Sequence, residues 1–211
     1  MKGKKIKIAG VLLVSTMLAV TSLAACGTKT TNKSTGSSGS TTTVSASDMF
    51  TKRDLDSGYD ESKATKIKLS DSKTTVSGDG AKFSSENGVN TVTITKEGTY
   101  ILSGKLNGQV VVDTDKTAKV QIVLKGATVS GKSTAAIYVK QADKVFLTLA
   151  PNSENTLTET GEFASDNSST VDGVIFSKDD LSINGTGLLK ISTESGHGVV
   201  SKDDLVIASG T

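Results

Sequence analysis

The sequence of 211 residues contains one cysteine, one proline, one histidine and no tryptophan, and only 4% of it is aromatic. A single cysteine excludes a disulfide framework and any cysteine-based zinc site. The lone His197 leaves no partner spacing for a Ser/His/Asp arrangement, and no glycine-rich loop leads from a strand into a helix to cradle phosphate. Tyr59, Tyr100 and Tyr138 are scattered, so the aromatic platform of a binder of crystalline polysaccharide is missing. Long apolar runs are absent as well, because Ile8 to Ala19 is too short to span a bilayer. Serine and threonine are abundant, at about a quarter of the chain, and favour strands and turns over helices.

The N-terminus reads as a targeting segment. Lys2, Lys4, Lys5 and Lys7 form a basic region ahead of the short apolar stretch, which ends in Leu23-Ala24-Ala25-Cys26-Gly27. Small residues before a single cysteine resemble the bacterial lipobox. Residues 1–25 are then a lipoprotein signal peptide, and Cys26 is diacylated and becomes the new N-terminus. The alternative is an ordinary signal peptide cut after Ala25, with Cys26 a free thiol. Two acyl chains anchor stably where one does not, which places the protein on the extracellular face of the cell membrane. Loss of the four lysines leaves 20 basic against 22 acidic side chains, so the mature chain is no basic nucleic-acid binder. Residues 26–47 follow as a tether: sixteen of the twenty-one residues from Gly27 to Ser47 are Ser, Thr or Gly, too polar to offset their ordering entropy. Residues 48–64 read as a charged, partly ordered lead-in.

After Ala64 short alternating runs appear, among them Lys66-Ile67-Lys68-Leu69, Thr91 to Thr95, Val120 to Leu124, Val145 to Leu149, Leu181 to Ile183 and Leu205 to Ile207. Each is bounded by Gly, Asn, Asp or Ser turns, which predicts an all-β chain. Internal repetition narrows the class. Ser177-Lys178-Asp179-Asp180-Leu181 returns as Ser201-Lys202-Asp203-Asp204-Leu205 at an offset of 24, and Ile183 meets Ile207. Ile137-Tyr138-Val139 matches Ile175-Phe176-Ser177 once residues around Glu159 to Asp172 loop out, and Val120 to Leu124 matches Val145 to Leu149. A period in the mid-twenties with three short strands per period is the pattern of a parallel β-helix over residues 65–211. A β-sandwich also spaces its strands at eight to twelve residues, but gives no reason for an identical pentapeptide to return. The chain ends at Ala208-Ser209-Gly210-Thr211 without a capping element, so further coils are expected beyond it.

The repeat also carries the candidate chemistry. If Leu181 and Ile183 face inward, Asp180 and Ser182 face outward, with Asp179 at the corner. Stacking at about 4.8 Å then sets Asp179 over Asp203 and Asp180 over Asp204. Like charges about 5 Å apart repel by roughly 1 kcal/mol in water and about 3 kcal/mol at an effective dielectric of 20. Either solvent or a cation must relieve that repulsion. Asp143, Asp172, Asp113 and Asp115 are expected near the same corner, and residues 161–211 hold eight acidic side chains against three basic ones. Oxygen ligands in an acidic turn suit Ca²⁺, and no soft ligand set for zinc or copper is present. The alternative is a solvated corner in which the aspartates cap turn amides. Lys178 and Lys202 offer a third outcome, each neutralising its neighbouring Asp. Lys178, Lys202 and His197 are the candidate contacts to a sugar, and Tyr138 and Phe176 stand at equivalent places and read as packing.

Gly98-Thr99-Tyr100, Ala136-Ile137-Tyr138-Val139, Ser177 to Gly187, and Gly196-His197-Gly198 with the second Ser-Lys-Asp-Asp-Leu resemble a known family. It is the bacterial carbohydrate-binding β-helix domain family typified by a clostridial polygalacturonate-binding protein, and the resemblance covers roughly residues 55 to 211. It implies a right-handed parallel β-helix with bound Ca²⁺ that binds acidic plant cell-wall polysaccharide without cleaving it. A monomer that engages the membrane only through its lipid is expected. Two rivals stand beside that reading. One is a Ca²⁺-dependent polysaccharide lyase with Lys178 or Lys202 as the base; the other is a purely structural surface solenoid.

Overall fold

The computed structural model of the chain describes residues 49–163 and 171–211. Cys26, the signal segment and the tether lie outside the described residues. The order of elements begins with α1 (Lys52–Leu55), β1 (Thr65–Leu69), β2 (Thr75–Ser77), β3 (Ala81–Glu86) and β4 (Val89–Ile94). Next come β5 (Gly98–Asp113), β6 (Lys119–Lys132), β7 (Ile137–Gln141), β8 (Lys144–Leu149) and β9 (Glu154–Thr160). The last are β10 (Gly173–Ser177), β11 (Asp180–Gly185), β12 (Leu188–Thr193), β13 (His197–Ser201) and β14 (Leu205–Ile207). Among the described residues the fold is all-β with one helix of four residues, as the scarcity of period-3.6 windows requires.

Most strands pair in parallel, in three ladders. The first runs β1, the start of β5, the start of β6, β8, β11, β14. A second runs β4, the end of β5, β7, β10, β13. The third joins the middle of β5 to the end of β6, then β9 and β12. Antiparallel pairing is confined to β1 with β2 and β3 with β4. Parallel ladders exclude the sandwich, whose sheets are antiparallel. The repeats set the register: Ser177 pairs with Ser201, Leu181 with Leu205, Ile183 with Ile207, Ile137 with Ile175, and Val120 with Val145.

The register follows from burial. One column of the first ladder stacks Tyr100, Ile122, Leu147, Ile183 and Ile207. All but the last are buried, and they belong to one apolar core filled from all three ladders. A slip of one residue would turn this stripe outward. A slip of a whole repeat would leave an unmatched strand at each end.

The lead-in differs from expectation. Residues 51–59 form an ordered strap laid across the outward face of β6, β8 and β11. Thr51 caps α1 through a reciprocal pair of bonds with Asp54, and Asp54 is 1% exposed. The Arg53 guanidinium lies 4.6 Å from the centre of the Phe146 ring. Asn184 donates from Nδ2 to the carbonyls of Asp54 (3.0 Å) and Asp56 (3.2 Å), and Gln121 donates to the carbonyl of Gly58. Thr148 bridges Gln121 and Asn184. Ser182 therefore faces away from the core, as alternation requires, yet is fully buried instead of solvated. A charged segment orders here because Gln121, Thr148 and Asn184 on the face beneath it offer matched donors and acceptors, a feature that composition does not reveal.

Candidate functional site

The two Ser-Lys-Asp-Asp-Leu copies lie side by side, where β10 turns into β11 and β13 into β14. Serine hydroxyls organise the turn. Ser177 donates to the carbonyl of Asp179 at 2.6 Å, and Ser201 donates to the carbonyls of Asp179 (3.1 Å) and Asp204 (3.3 Å). These bonds within and between the copies fix the backbone at the corner.

The eight aspartates expected near one corner, six of them (Asp143, Asp172, Asp179, Asp180, Asp203 and Asp204) as ligands of the ion, are not gathered into one centre among the described residues. Asp143 pairs with Lys119. Asp179 accepts the Ala142 backbone N–H at 3.0 Å, capping the turn of the preceding pass. Asp180 accepts the Asp204 backbone N–H at 3.2 Å. Burial pushes the Asp180 carboxyl above the ordinary carboxylate range; the Asp204 amide and Lys144 pull it down, while the charges of Asp203 and Asp204 push it further up. The predicted repulsion between neighbouring copies is thus present, and a turn amide relieves part of it. Among the described residues, no group of three or more His, Cys, Asp or Glu side chains converges as a metal-ligand set.

Four of the nominated residues do meet. Asp172, His197, Lys202 and Asp203 line a cavity of about 320 Å³ along β13, with Val199 and Leu205 among its apolar walls. The His197 backbone N–H donates to the Asp172 carbonyl at 2.8 Å, which pins the two together. The Asp172 Oδ1 atom is buried and has no hydrogen-bond partner among the described residues. A buried carboxylate oxygen without a donor is costly, so this atom is a point where a cation or a donor on a ligand would be stabilised.

Both lysines of the repeat also pack over rings. Each reaches back over an aromatic ring of the preceding pass: Lys178 Nζ lies 5.7 Å from the Tyr138 ring centre and Lys202 Nζ 5.3 Å from that of Phe176. The rings themselves meet edge to face at 5.9 Å. These distances fit cation–π attraction, worth about 0.5–1 kcal/mol where exposed. The packing role expected of Tyr138 and Phe176 is what the structure shows, with the lysine stems laid over it.

With fold and site described, the likeness to known proteins falls into place. The family model described as carbohydrate-binding domain-containing protein matches residues 88–211, more than half of the chain, and the chain belongs to that family. A carbohydrate-binding domain-containing protein of Acetivibrio thermocellus is 36% identical over 122 residues, which are 56% of this chain and 43% of that relative. The polysaccharide lyase-like protein from C. thermocellum, solved as a gadolinium derivative, superposes with a TM-score of 0.65 at 31% identity, covering 70% of this chain and 60% of that one. This chain therefore spans less than two thirds of the length of either protein. The matched family region contains β4 to β14 and both copies of the acidic pentapeptide.

Proposed function

We propose that this protein is a non-catalytic binder of acidic, pectin-like polysaccharide, built as a right-handed parallel β-helix and held on the outer face of the cell membrane by lipid on Cys26. The observation that carries the reading is the family membership of residues 88–211 together with the cavity that Asp172, His197, Lys202 and Asp203 form inside that region. The three parallel ladders support the helical reading, since a chain that visits each ladder once per period winds as a solenoid.

Ca²⁺ is the cation this reading requires, and the donor set fits it only as a shared site. Ca²⁺ takes six to eight oxygen ligands. Asp172 and Asp203 offer carboxylate oxygens at the cavity, and the remaining positions fall to water and to the carboxylates of the sugar. Such an ion would turn an acidic surface into one that attracts a polyuronate.

Affinity electrophoresis on polygalacturonate, with Ca²⁺ and with chelator, tests the reading. Retardation that needs Ca²⁺ and is lost in Asp172→Asn with Asp203→Asn is expected. Undiminished retardation after chelation removes calcium from the function. For the anchor, Cys26→Ser should abolish incorporation of a fatty-acid label in a bacterial host and release the protein from membranes.

The likeness to a polysaccharide lyase-like protein favours a second reading, cleavage by β-elimination. It needs a base beside the cation, and Lys202 is the residue that lines the same cavity as Asp203. Appearance of the unsaturated product's absorbance during long incubation with polygalacturonate, absent in Lys202→Ala, would establish it.

A further inference from the structure

A cavity lies far along the chain from the acidic repeat. It measures about 460 Å³ and opens over β1, β2 and β5. Three lysines stand around it, Lys66, Lys68 and Lys125, against one acid, Glu61. Lys66 and Lys68 are alternate, outward residues of β1, whose burial pattern runs buried-exposed throughout, so their Cα atoms are about 7 Å apart. Lys125 follows the last residue of β6 that pairs with the start of β5, two strands across from β1, about 10 Å away. Ser103 on β5 lies between them, and the hydroxyls of Thr75 and Ser77 on β2 flank β1 on its other side. The side chain of Ile101, 6% exposed, gives an apolar patch on the floor.

This cleft already holds one carboxylate. Lys125 bonds to Glu61, and Lys66 adds its charge, so the Glu61 carboxyl is held below its ordinary range. Lys68 lines the same cavity and forms none of the ion pairs found among the described residues. The surplus of two positive charges, the bank of hydroxyls and the apolar floor are the three features that a carboxylated sugar ring presents in complement: an anion, hydroxyl groups and a C–H face. The volume is that of a small-molecule site.

We propose that the cleft of Lys66, Lys68 and Lys125 is a second saccharide subsite, one that takes the carboxylates of uronic-acid sugars directly, without a metal ion. The proposal rests on the carbohydrate-binding reading above and deepens it. Charge recognition here has the sign opposite to that at Asp172 and Asp203, so one acidic chain would be held by ammonium groups at one place and by a bridging cation at the other. Glu61 acts as an internal competitor for Lys125 and Lys66, which limits affinity until a sugar carboxylate replaces it.

Calorimetric titration of the full chain with a galacturonic acid trisaccharide in chelator, and with its methyl ester, tests this. The acid should bind, more weakly as salt rises, and the ester should not. Lys66→Ser with Lys68→Ser should lower affinity for the acid about tenfold, while Glu61→Gln should raise it several-fold, a change no unfolding could produce. All four side chains concerned are exposed or half-exposed, so the variants should retain the wild-type melting temperature. Equal binding by the double lysine variant overturns the proposal, as does equal binding of the ester, or tighter binding of a sulfated trisaccharide. Binding that appears only with Ca²⁺ and ignores the lysines overturns this subsite and leaves the calcium reading intact. Absence of binding to any saccharide, with or without Ca²⁺, overturns both.

Discussion

Asp54, in the four-residue helix that precedes the sheet, places its carboxylate 2.8 Å from the ammonium of Lys144 on β8, and the two side chains are 2% and 15% exposed. The pair fastens the strap to the outer face of the first ladder. Burial by itself would push the Asp54 carboxyl up, but the bonds from Lys144 and Thr51 outweigh it and hold the group below its ordinary range. A lowered pKa means that the folded state holds its proton less tightly than the unfolded state. The stabilisation is therefore present above about pH 4 and fades as pH falls through the lowered value.

Asp54→Ala should cost about 3 kcal/mol, because it strands the Lys144 charge and removes the Asp54 half of the capping box together. Lys144→Met with Asp54→Asn should cost less than the single change. Chemical denaturation at neutral pH checks the order, and proteolysis near residues 51–59 checks that the strap is what loosens. The wild-type protein should lose its advantage over Asp54→Ala in acid.

Leu147 is fully buried midway along the first ladder, between Ile122 and Ile183. Leu205 is only partly buried, on the edge strand β14. Leu147→Ala should destabilise by about 3–4 kcal/mol and Leu205→Ala by about 1 kcal/mol, since only the first opens an enclosed cavity. Urea midpoints with unchanged slopes would confirm that difference.

Gly185 has a φ of +103°, and a Cβ there would lie 2.2 Å from the carbonyl oxygen of Leu149 on the neighbouring strand. Gly185→Ala must break the ladder between β8 and β11 locally. A loss of at least about 2 kcal/mol is expected, whereas Gly88→Ala, with nothing within 4 Å of its Cβ position, should cost only its backbone strain. Thermal unfolding of the two variants separates the effects.

Asp180 has a raised pKa, chiefly through burial and also through the charges of Asp203 and Asp204. The folded state thus binds this proton more tightly than the unfolded state, and the ionised group weakens the fold at neutral pH. Asp180→Asn keeps an acceptor for the Asp204 amide and should stabilise the protein by up to about 0.5 kcal/mol at neutral pH, after solvent screening. The difference should close as pH falls through the raised value. With millimolar Ca²⁺ the order should reverse if the ion is held beside these carboxylates.

Much of the fold was legible in the chain itself. Alternation gives the strands, and the return of Ser-Lys-Asp-Asp-Leu after 24 residues gives the pairing of Leu181 with Leu205, because an apolar stripe that one pass cannot bury alone must be covered by the next. The acidic repeat was legible only in part. Its residue types and stacking could be read, but Asp179 and Asp180 spend an oxygen on backbone amides of neighbouring turns, and which amide points where is decided by loop geometry. Asp172 and Asp203 line one cavity, but Asp172 precedes β10 and Asp203 follows β13, so they are not equivalent places of the repeat and only the pairing of those strands brings them to one cavity.

Composition and periodicity therefore determined the all-β class, the inward residues and the register, since these depend on short-range alternation and on a repeat that any copy must satisfy. Tertiary structure decided what happens on the outside. Asn184 bonds to Asp54 and Asp56 across some 130 residues, burying Ser182 under a charged strap, and Lys125 meets Glu61 beside Lys66 and Lys68 to shape a basic cleft. Outer faces carry no repeating constraint of their own, so their coverage and their charge follow from where distant segments come to rest.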